Sequence, residues 1–421
     1  MNATERRPAT VRHWLGVVAS FLVLTFPFSF AIFSLTTFYD SFTVAFHWSR
    51  TNAVTGNSII LFLIGVLSPF IGRAVDRFSA KAVILAGCLF TSLGFVLLSM
   101  MKGSLVEYYL YCGLLGLSAC ASSILANSIL IGPWFTRSRG LMVGIINGGI
   151  GAGGFMAPRL IAKLLPPAGR SAAVVQQGIS HAFLILAGLM LVPFVMTLVV
   201  VRNEDRRNAP ASGGHVPSTS ELLRMPMFWV FGVSLFCAAH AMVGVQNTMV
   251  LYFVSGGLTR AAGAAILSTA LGAAFLGKVI SGLLADRVSA RSGVIFSVIC
   301  VLLGILGLLN TSPHATVIIW VAILFGMGYG GIFNAVPVIV FEHFGTHKVG
   351  TSLGWLYVFF GLGTATGPEL AAQVVDRTHS WAIAHTVDLA FVGVALVLVL
   401  ATGRLTQRRA PQAPKAILST T

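Results

Sequence analysis

Long apolar runs alternate with short polar breaks along almost the whole chain. A helix needs ~20 apolar residues to cross a bilayer, whereas a membrane β-strand shows only about ten alternating ones. The pattern therefore predicts an all-α membrane protein rather than a β-barrel. Twelve membrane spans are predicted, over residues 14–38, 52–75, 82–101, 107–132, 140–164, 179–201, 227–254, 261–285, 293–310, 316–341, 349–373 and 384–402.

The polar turn after the second span recurs after the eighth. Gly72-Arg-Ala-Val-Asp76-Arg77-Phe-Ser-Ala-Lys81 returns as Gly282-Leu-Leu-Ala-Asp286-Arg287-Val-Ser-Ala-Arg291, an offset of 210 residues. The same offset relates Gly116 to Gly326, Gly144 to Gly354, Gly151 to Gly361, Gly153 to Gly363 and Pro158 to Pro368. A constant offset predicts two parallel, pseudo-symmetric six-helix bundles. Such repeats are typical of transporters whose site lies between them near the midplane.

A polar stretch at 202–225, rich in Arg, Asn, Pro, Ser and Gly, separates the two repeats. It predicts a linker between an N-terminal bundle (1–201) and a C-terminal bundle (226–403), with a tail at 404–421. Of the 27 Lys and Arg residues, 19 fall on one side of the predicted spans and six on the other. The positive-inside rule then places linker, tail and both termini in the cytoplasm, so we expect a multi-pass protein of the inner (cytoplasmic) membrane.

Composition narrows the class of protein. The chain is 56% hydrophobic and 9% charged, against about 25% charged in soluble domains. The net charge of +15 would favour nucleic acid in a soluble protein, but here it lies in short loops between spans, so no nucleic-acid partner is expected. Five cysteines lie in apolar runs without metal-ligand spacing. No nucleotide loop or metal cluster is evident, so neither an enzyme nor a cofactor is predicted.

The repeated turn at Gly72–Lys81 and Gly282–Arg291 resembles the loop motif of the major facilitator superfamily. Within it, the stretch Trp134-Phe135-Thr-Arg137-Ser-Arg139-Gly140-Leu-Met-Val-Gly144 resembles the turn before helix 5 of monocarboxylate and oxalate:formate transporters. The resemblance covers nearly the whole chain. It implies a twelve-helix carrier of the lipid bilayer that works by alternating access, and we expect it to act as a monomer.

Lys278 is a lone basic residue within the eighth apolar run. A lysine at the bilayer centre costs roughly 2.5–3.5 kcal/mol on insertion scales, so a function or a partner must compensate it. The resemblance implies a function, because those families carry a cation in helix 8 that pairs with the substrate carboxylate. The family's acid four residues earlier is replaced by Ala274, and its helix 1 lysine has no counterpart. The alternatives are a structural pair with a carboxylate or carbonyls, and a role in proton transfer.

Helix 7 carries polar residues at helical spacing. His240, Gly244 and Asn247 share one face, and their repeat partners in helix 1 are Phe30, Ser34 and Thr37. The resemblance implies that helices 1 and 7 line the cavity, which makes His240, Asn247, Phe30 and Ser34 candidate substrate contacts. Histidine titrates near neutral pH, so His240 is also the candidate proton carrier. Packing within the bundle is the alternative.

Three further residues are candidate substrate contacts. Tyr329 lies among glycines in helix 10, and Asn147 and Tyr357 are repeat partners in helices 5 and 11, each on a face with a glycine. Packing is the alternative for each. Four residues of the repeated turns, Asp76, Arg77, Asp286 and Arg287, are predicted to form a cytoplasmic latch. The repeat partners Arg159 and Glu369 are predicted to form ion pairs, with each other or with residues such as Arg50, when the outer side closes.

Together these observations predict a secondary transporter of small organic monocarboxylates, with co-transport of a proton. An anion:anion exchanger and an exporter of hydrophobic compounds are the alternatives. Exporters of cationic drugs favour a buried acid, whereas the deep charge here is basic.

Overall fold

The computed structural model describes residues 11–135, 137–167, 169–201, 219–312, 316–344 and 350–407, and every regular element in these ranges is a helix. The first half begins with α1, which comprises Val11–Val23, a π-helical turn at Leu24–Phe28 around Pro27, and the segments Ser29–Phe33 and Leu35–Phe46. It continues with α2 (Arg50–Arg77), α3 (Ala80–Ser99), α4 (Leu105–Ala121 and Ile124–Ile131), α5 (Arg139–Leu164) and α6 (Ala172–Leu189 and Leu191–Val200).

The second half has the same order of helices. It comprises α7 (Pro226–Ser255), α8 (Arg260–Arg287), α9 (Ala290–Asn310), α10 (Val317–Phe344), α11 (Gly350–Thr378) and α12 (Trp381–Gln407). Residues 202–218 of the predicted linker lie outside the described residues, and a short helix at Thr219–Arg224 follows them. The predicted all-α architecture of two six-helix bundles is confirmed.

Eleven of these helices are long and apolar enough to cross a membrane in the part of the chain described. The remaining one, α11, is 29 residues long but is more polar, because it contains five glycines together with Glu369, Asp376 and Arg377. It packs between α2 and α7. Its small residues allow it to lie close to both, so its polarity reflects helix packing rather than an extramembrane position.

The residues that cap the helix N-termini recur at equivalent positions in the two halves. Ser49 and Thr259 precede α2 and α8, and each side-chain oxygen accepts a hydrogen bond of 3.2 Å from a backbone N–H in the first turn. Ser79 and Ser289 do the same before α3 and α9, at 3.1 and 3.2 Å. Because a capping hydroxyl satisfies an otherwise unpaired N–H, the 210-residue repeat fixes equivalent helix boundaries in both halves.

The two halves meet along two helix pairs, α2 with α11 and α5 with α8. At one end of the seam Gly72 lies against the Gly350 carbonyl and Gly140 against the Gly282 carbonyl, each so close that a Cβ would overlap the oxygen. We call this end the closed side. Toward the other end, which we call the open side, no heavy atom lies within 4 Å of a Cβ position at Gly151 of α5 or Gly272 of α8. On the α5–α8 pair the halves therefore separate toward the open side, whereas on the α2–α11 pair Gly361 still lies against Gly65.

Candidate substrate site and gates

Lys278 lies on α8 at the seam between the halves, and α8 still contacts α5 one turn further toward the open side. Its side chain is 6% exposed, and Nζ donates a hydrogen bond of 2.8 Å to the backbone carbonyl of Asn147 on α5. One turn toward the open side, Phe275 packs against Gly148. Within the described residues no carboxylate forms an ion pair with Lys278. An ammonium group has three donors, and the structure shows one of them in use.

The carbonyl of Lys278 is also bonded. Asn334 of α10 donates from Nδ2 to this carbonyl at 3.1 Å and to the Gly140 carbonyl at 3.1 Å. One amide therefore joins α8, α10 and α5 beneath the ammonium group. This bridge fixes the α8 backbone at the position from which the lysine side chain projects.

Unpaired polar groups lie at the same depth as this lysine. The side-chain amide of Asn147 is fully buried and has no hydrogen-bond partner at either atom. Tyr357 of α11, its repeat partner, has a buried hydroxyl that is also unpaired, as is the indole N–H of Trp355. Buried polar atoms are usually paired, so these groups have the character of a polar ligand site.

An aromatic row connects the two tyrosines predicted from the sequence. Tyr329 of α10 packs on Phe333, Phe333 packs on Phe360 of α11, and Phe360 packs on Tyr357, with centroids 5.3, 4.9 and 6.2 Å apart. Asn334, the neighbour of Phe333, contacts the Lys278 backbone. The row therefore lies at the depth of the lysine, within the C-terminal half.

Asp286 ends α8 at the closed side and caps the first turn of α5. Its Oδ1 accepts from the Gly140 N–H at 2.7 Å and its Oδ2 from the Leu141 N–H at 2.9 Å. A carboxylate at a helix N-terminus benefits from the two unpaired donors and from the helix dipole. The bonds run between the two halves, so they hold the closed side together.

Asp76 makes the equivalent contact at the end of α2. It accepts from the Gly350 N–H at 3.0 Å, from the Thr351 N–H at 2.9 Å and from the Thr351 hydroxyl at 3.0 Å, all on α11. The neighbouring Arg77 and Arg287 are exposed, and Arg77 lies over the Phe78 ring at 5.4 Å. The contacts expected of the two aspartates are thus present, whereas Arg77 covers the ring of its own neighbour and Arg287 lines a surface cavity at the seam together with Arg137 and Asp286.

Arg159 and Glu369 lie toward the open side and are exposed. Arg159 donates to the Phe155 carbonyl at 3.0 Å and covers the Phe155 ring, while Glu369 accepts from Gln373 at 3.0 Å. Each charge is therefore bonded within its own helix in this structure. They lie on different helix pairs, since α5 faces α8 and α11 faces α2. The side chain of Arg50 lies outside the described residues.

Comparison with known proteins agrees with this architecture. The family model described as the Major Facilitator Superfamily matches residues 21–368 and again 257–418. The chain belongs to the major facilitator superfamily. Its members are membrane transporters rather than enzymes, in accord with the prediction from the sequence.

Several superfamily members are similar along most of their length. An uncharacterised transporter, YcxA of Bacillus subtilis, is 25% identical and aligns with 90% of this chain and 94% of its own. Monocarboxylate transporter 12 of Mus musculus is 23% identical over 94% of this chain and 87% of its own length. Monocarboxylate transporter 13 of Bos taurus is 25% identical over 90% of this chain and 86% of its own length. Among solved structures, FucP in its outward conformation matches with a TM-score of 0.73 at 16% identity, covering 93% of this chain and 99% of FucP.

The helix 7 face predicted from the sequence packs inside the C-terminal half of this superfamily fold. His240 is 2% exposed, stacks on Phe391 of α12 at 4.0 Å, and its Nδ1 lies 2.9 Å from the Thr366 hydroxyl of α11. Thr366 is nine residues from Tyr357, so at about 100° per residue the two point to opposite sides of α11. His240 therefore contacts the side of α11 that faces away from Tyr357.

Neighbouring candidates differ in exposure. Gly244 lies against Gly367 and the Asp388 carboxylate, whereas Asn247 is exposed near the open-side end of α7. In α1, Phe30 and Ser34 are fully buried, and the Ser34 hydroxyl has no hydrogen-bond partner. The structure thus brings Lys278 and Asn147 into contact, and leaves the helix 1 and helix 7 candidates in other environments.

Asp388 and His385 of α12 were missed by the sequence analysis. Both are buried, with His385 Nδ1 3.4 Å from Asp388 Oδ2 and His240 Nε2 4.0 Å from Asp388 Oδ1. The signal was present, because an acid within an apolar span is costly and usually functional. A His-x-x-Asp spacing also places both residues on one helix face.

Proposed function

We propose that this chain transports small organic monocarboxylate anions by alternating access, with Lys278 as the group that binds the substrate carboxylate and a proton as the co-transported ion. The observation that carries the proposal is a buried ammonium group at the seam between the halves with no carboxylate partner among the described residues. Similarity to the monocarboxylate transporters supports the substrate class.

The position of Lys278 fits the geometry of alternating access. The lysine belongs to one half and its hydrogen-bond acceptor, the Asn147 carbonyl, to the other. A bound carboxylate would accept from the two remaining Nζ donors, and the unpaired amide of Asn147 offers a further donor. Because such an anion contacts both halves, it favours the states in which they close around it.

The energetics follow from burial. Removing one partner of a buried ion pair costs about 3–5 kcal/mol, which is at least two orders of magnitude in affinity. With substrate bound, the ammonium charge is neutralised, and occlusion of the site costs less than it does for the empty transporter. The loaded form should therefore change conformation more readily than the empty one.

We propose that the closed side faces the cytoplasm of a cell whose inner membrane holds the protein. The positive-inside rule supports this, because the loops at the ends of α2 and α8 carry Arg73, Arg77, Arg287 and Arg291. In this orientation the structure is open to the outside and ready to receive an external anion, which favours uptake driven by an inward proton gradient.

The test is transport by purified protein in proteoliposomes. A panel of radiolabelled acetate, lactate, pyruvate and benzoate is offered with and without an inward proton gradient. We expect saturable uptake of at least one acid, accumulation that grows with the gradient, and loss of both in Lys278→Ala. Lys163→Ala removes an exposed lysine of α5 and should leave uptake unchanged.

Two results would decide against the proposal. Carboxylate uptake by Lys278→Ala at the wild-type rate would remove the lysine from the site. Counterflow of labelled anion without any response to the proton gradient would identify an anion:anion exchanger in place of a symporter.

A further inference from the structure

A buried cluster of three titratable side chains joins α7 to α12, away from Lys278. His240 of α7 and His385 of α12 lie on either side of the Asp388 carboxylate, which is 2% exposed. The separations are 4.0 Å from His240 Nε2 to Oδ1 and 3.4 Å from His385 Nδ1 to Oδ2. The Nε2 atoms of both histidines are buried and lack hydrogen-bond partners.

The hydrogen bonds around His240 indicate where a proton is missing. The Thr366 hydroxyl has one hydrogen and donates it to the Leu362 carbonyl at 3.0 Å, so it accepts from His240 Nδ1 at 2.9 Å. With its hydrogen on Nδ1, a neutral His240 turns the lone pair of Nε2 toward Asp388 Oδ1. Two acceptors then face each other in a buried site, which one proton between them would resolve.

The net charge of the cluster also indicates that it binds one proton. With two neutral histidines and an ionised Asp388, the cluster holds a net charge of −1 inside the membrane, where an uncompensated charge is costly. One added proton makes it neutral, either as an imidazolium beside a carboxylate or as a carboxylic acid beside two imidazoles. The 4.0 Å separation exceeds a hydrogen bond by about 1 Å, so proton binding would draw α7 and α12 together.

We propose that Asp388, held between His240 and His385, is the proton-binding site of this transporter, separate from the substrate site at Lys278. This rests on proton symport as the proposed function. Metal binding is a poor alternative, since within the described ranges no group of three or more His, Cys, Asp or Glu side chains is arranged to hold an ion.

The other titratable and charged side chains on the neighbouring helices are bonded elsewhere, exposed or apart from the cluster, so the three clustered groups are the ones expected to titrate together. On α7, the Tyr252 ring meets His385 edge-on at 4.9 Å, and its hydroxyl donates to the Leu308 carbonyl of α9. On α11, Glu369 lies one turn beyond Thr366 and is exposed. On α9, Cys300 is buried and Arg291 bonds carbonyls at the closed-side end of α12.

The cluster runs from the open side toward mid-membrane. His385 is four residues into α12 and Asp388 is seven, whereas His240 is near the middle of α7. His385 is therefore the member of the cluster nearest the open-side end of α12, and it is fully buried. Thr366 belongs to α11, whose first turn binds Asp76 of the other half. A single helix thus links the cluster to the latch at the closed side.

Two transport modes separate proton coupling from substrate binding. Counterflow of labelled lactate (or of whichever acid of the panel the wild type carries) at equal pH requires the substrate site and conformational exchange, but no net proton movement. Accumulation in a gradient of one pH unit requires the proton site as well, and reaches about tenfold for one proton per monovalent anion.

Asp388→Asn should retain counterflow within threefold of wild type and lose the tenfold accumulation. His240→Gln should lose most of the accumulation and His385→Gln part of it. Lys278→Ala should lose both modes, which distinguishes failure of the substrate site from failure of the proton site. Ser234→Ala is the matched control, because its hydroxyl joins α7 to the Ala395 carbonyl of α12 without a titratable group.

Infrared difference spectra of reconstituted protein give a readout that needs no substrate. Titration of the wild type should show either the C=O band of a buried carboxylic acid or a shift of the carboxylate bands together with imidazolium ring bands, in each case absent in Asp388→Asn and altered in His240→Gln. The proposal is overturned if pH-driven accumulation persists in both Asp388→Asn and His240→Gln. It is equally overturned if no titrating band depends on Asp388. Should Asp388→Asn fail to insert, the two histidine variants carry the transport test.

Discussion

We expect the two carboxylate contacts at the closed side to set the balance between the conformations of the carrier. Asp286 accepts two backbone hydrogen bonds from α5, and Asp76 accepts three bonds from α11. We expect Asp286→Asn to favour opening of the closed side. The amide keeps the shape of the side chain but removes the charge, and it points an NH₂ donor at one of the two N–H groups.

The magnitude follows from the bonds. A hydrogen bond to a charged group contributes about 1.5–3 kcal/mol, and water offsets part of this on opening, so the loss from Asp286 is about 2–4 kcal/mol. That shifts the equilibrium by about 30- to 700-fold, since 1.4 kcal/mol is tenfold. If about 1% of the wild type is open at this side, the lower value raises the open fraction to about a quarter.

Spin labels at Phe78 and Val288 measure the opening directly. These residues end α2 and α8 in different halves and are 68% and 72% exposed, so labelling disturbs little packing. The five cysteines are free and buried and are replaced first. Double electron–electron resonance should show a longer-distance population in Asp286→Asn, and a larger one when Asp76→Asn is added.

Asp376→Asn is the matched control, because this acid is exposed on α11 outside the seam. The two latches lie on different helix pairs, so their effects should add. An unchanged distance distribution in the double variant would show that the carboxylates do not hold the closed side, whatever their hydrogen bonds.

Three smaller tests follow from other contacts. Gly140→Val places a side chain against the Gly282 carbonyl and should open the closed side by the same label assay, whereas Gly151→Val, with free space around it, should not. Lys278→Arg keeps the charge but not the shape, so counterflow should persist at reduced affinity. Tyr108→Phe removes a buried 2.7 Å hydrogen bond and should lower stability by about 1 kcal/mol, read as a lower melting temperature in detergent with transport retained.

The repeat made much of this architecture predictable. Because Asp76 and Asp286 occupy equivalent turns, the sequence indicated that both would meet a neighbouring helix end, and the structure shows both contacts. Lys278 could be placed at mid-depth by counting residues from the turn. Its bond to Asn147 could not, because spacing along one helix does not determine which helix lies opposite.

The position of His240 could not be predicted for the same reason, because the spacing within α7 does not show which helices it contacts. Helical spacing correctly grouped it with Gly244, but the identity of the facing helices decides whether that face lines a cleft or packs in a bundle. In the structure the contacts come from Thr366 and Phe391. Asp388 was recognisable as an acid in an apolar run. Its proximity to His240 of α7 could be found only from the packing of α7 against α12.

The seam at the closed side consists largely of main chain. Gly72 with Gly350 and Gly140 with Gly282 bring peptide groups together without side chains between them. When this surface parts, the backbone contacts need no side-chain rearrangement, and the side-chain bonds to be released across it include those of Asp76, Asp286 and Asn334. Even one added methyl group at any of these four positions would overlap a carbonyl oxygen of the other half and should therefore hinder closure of this side.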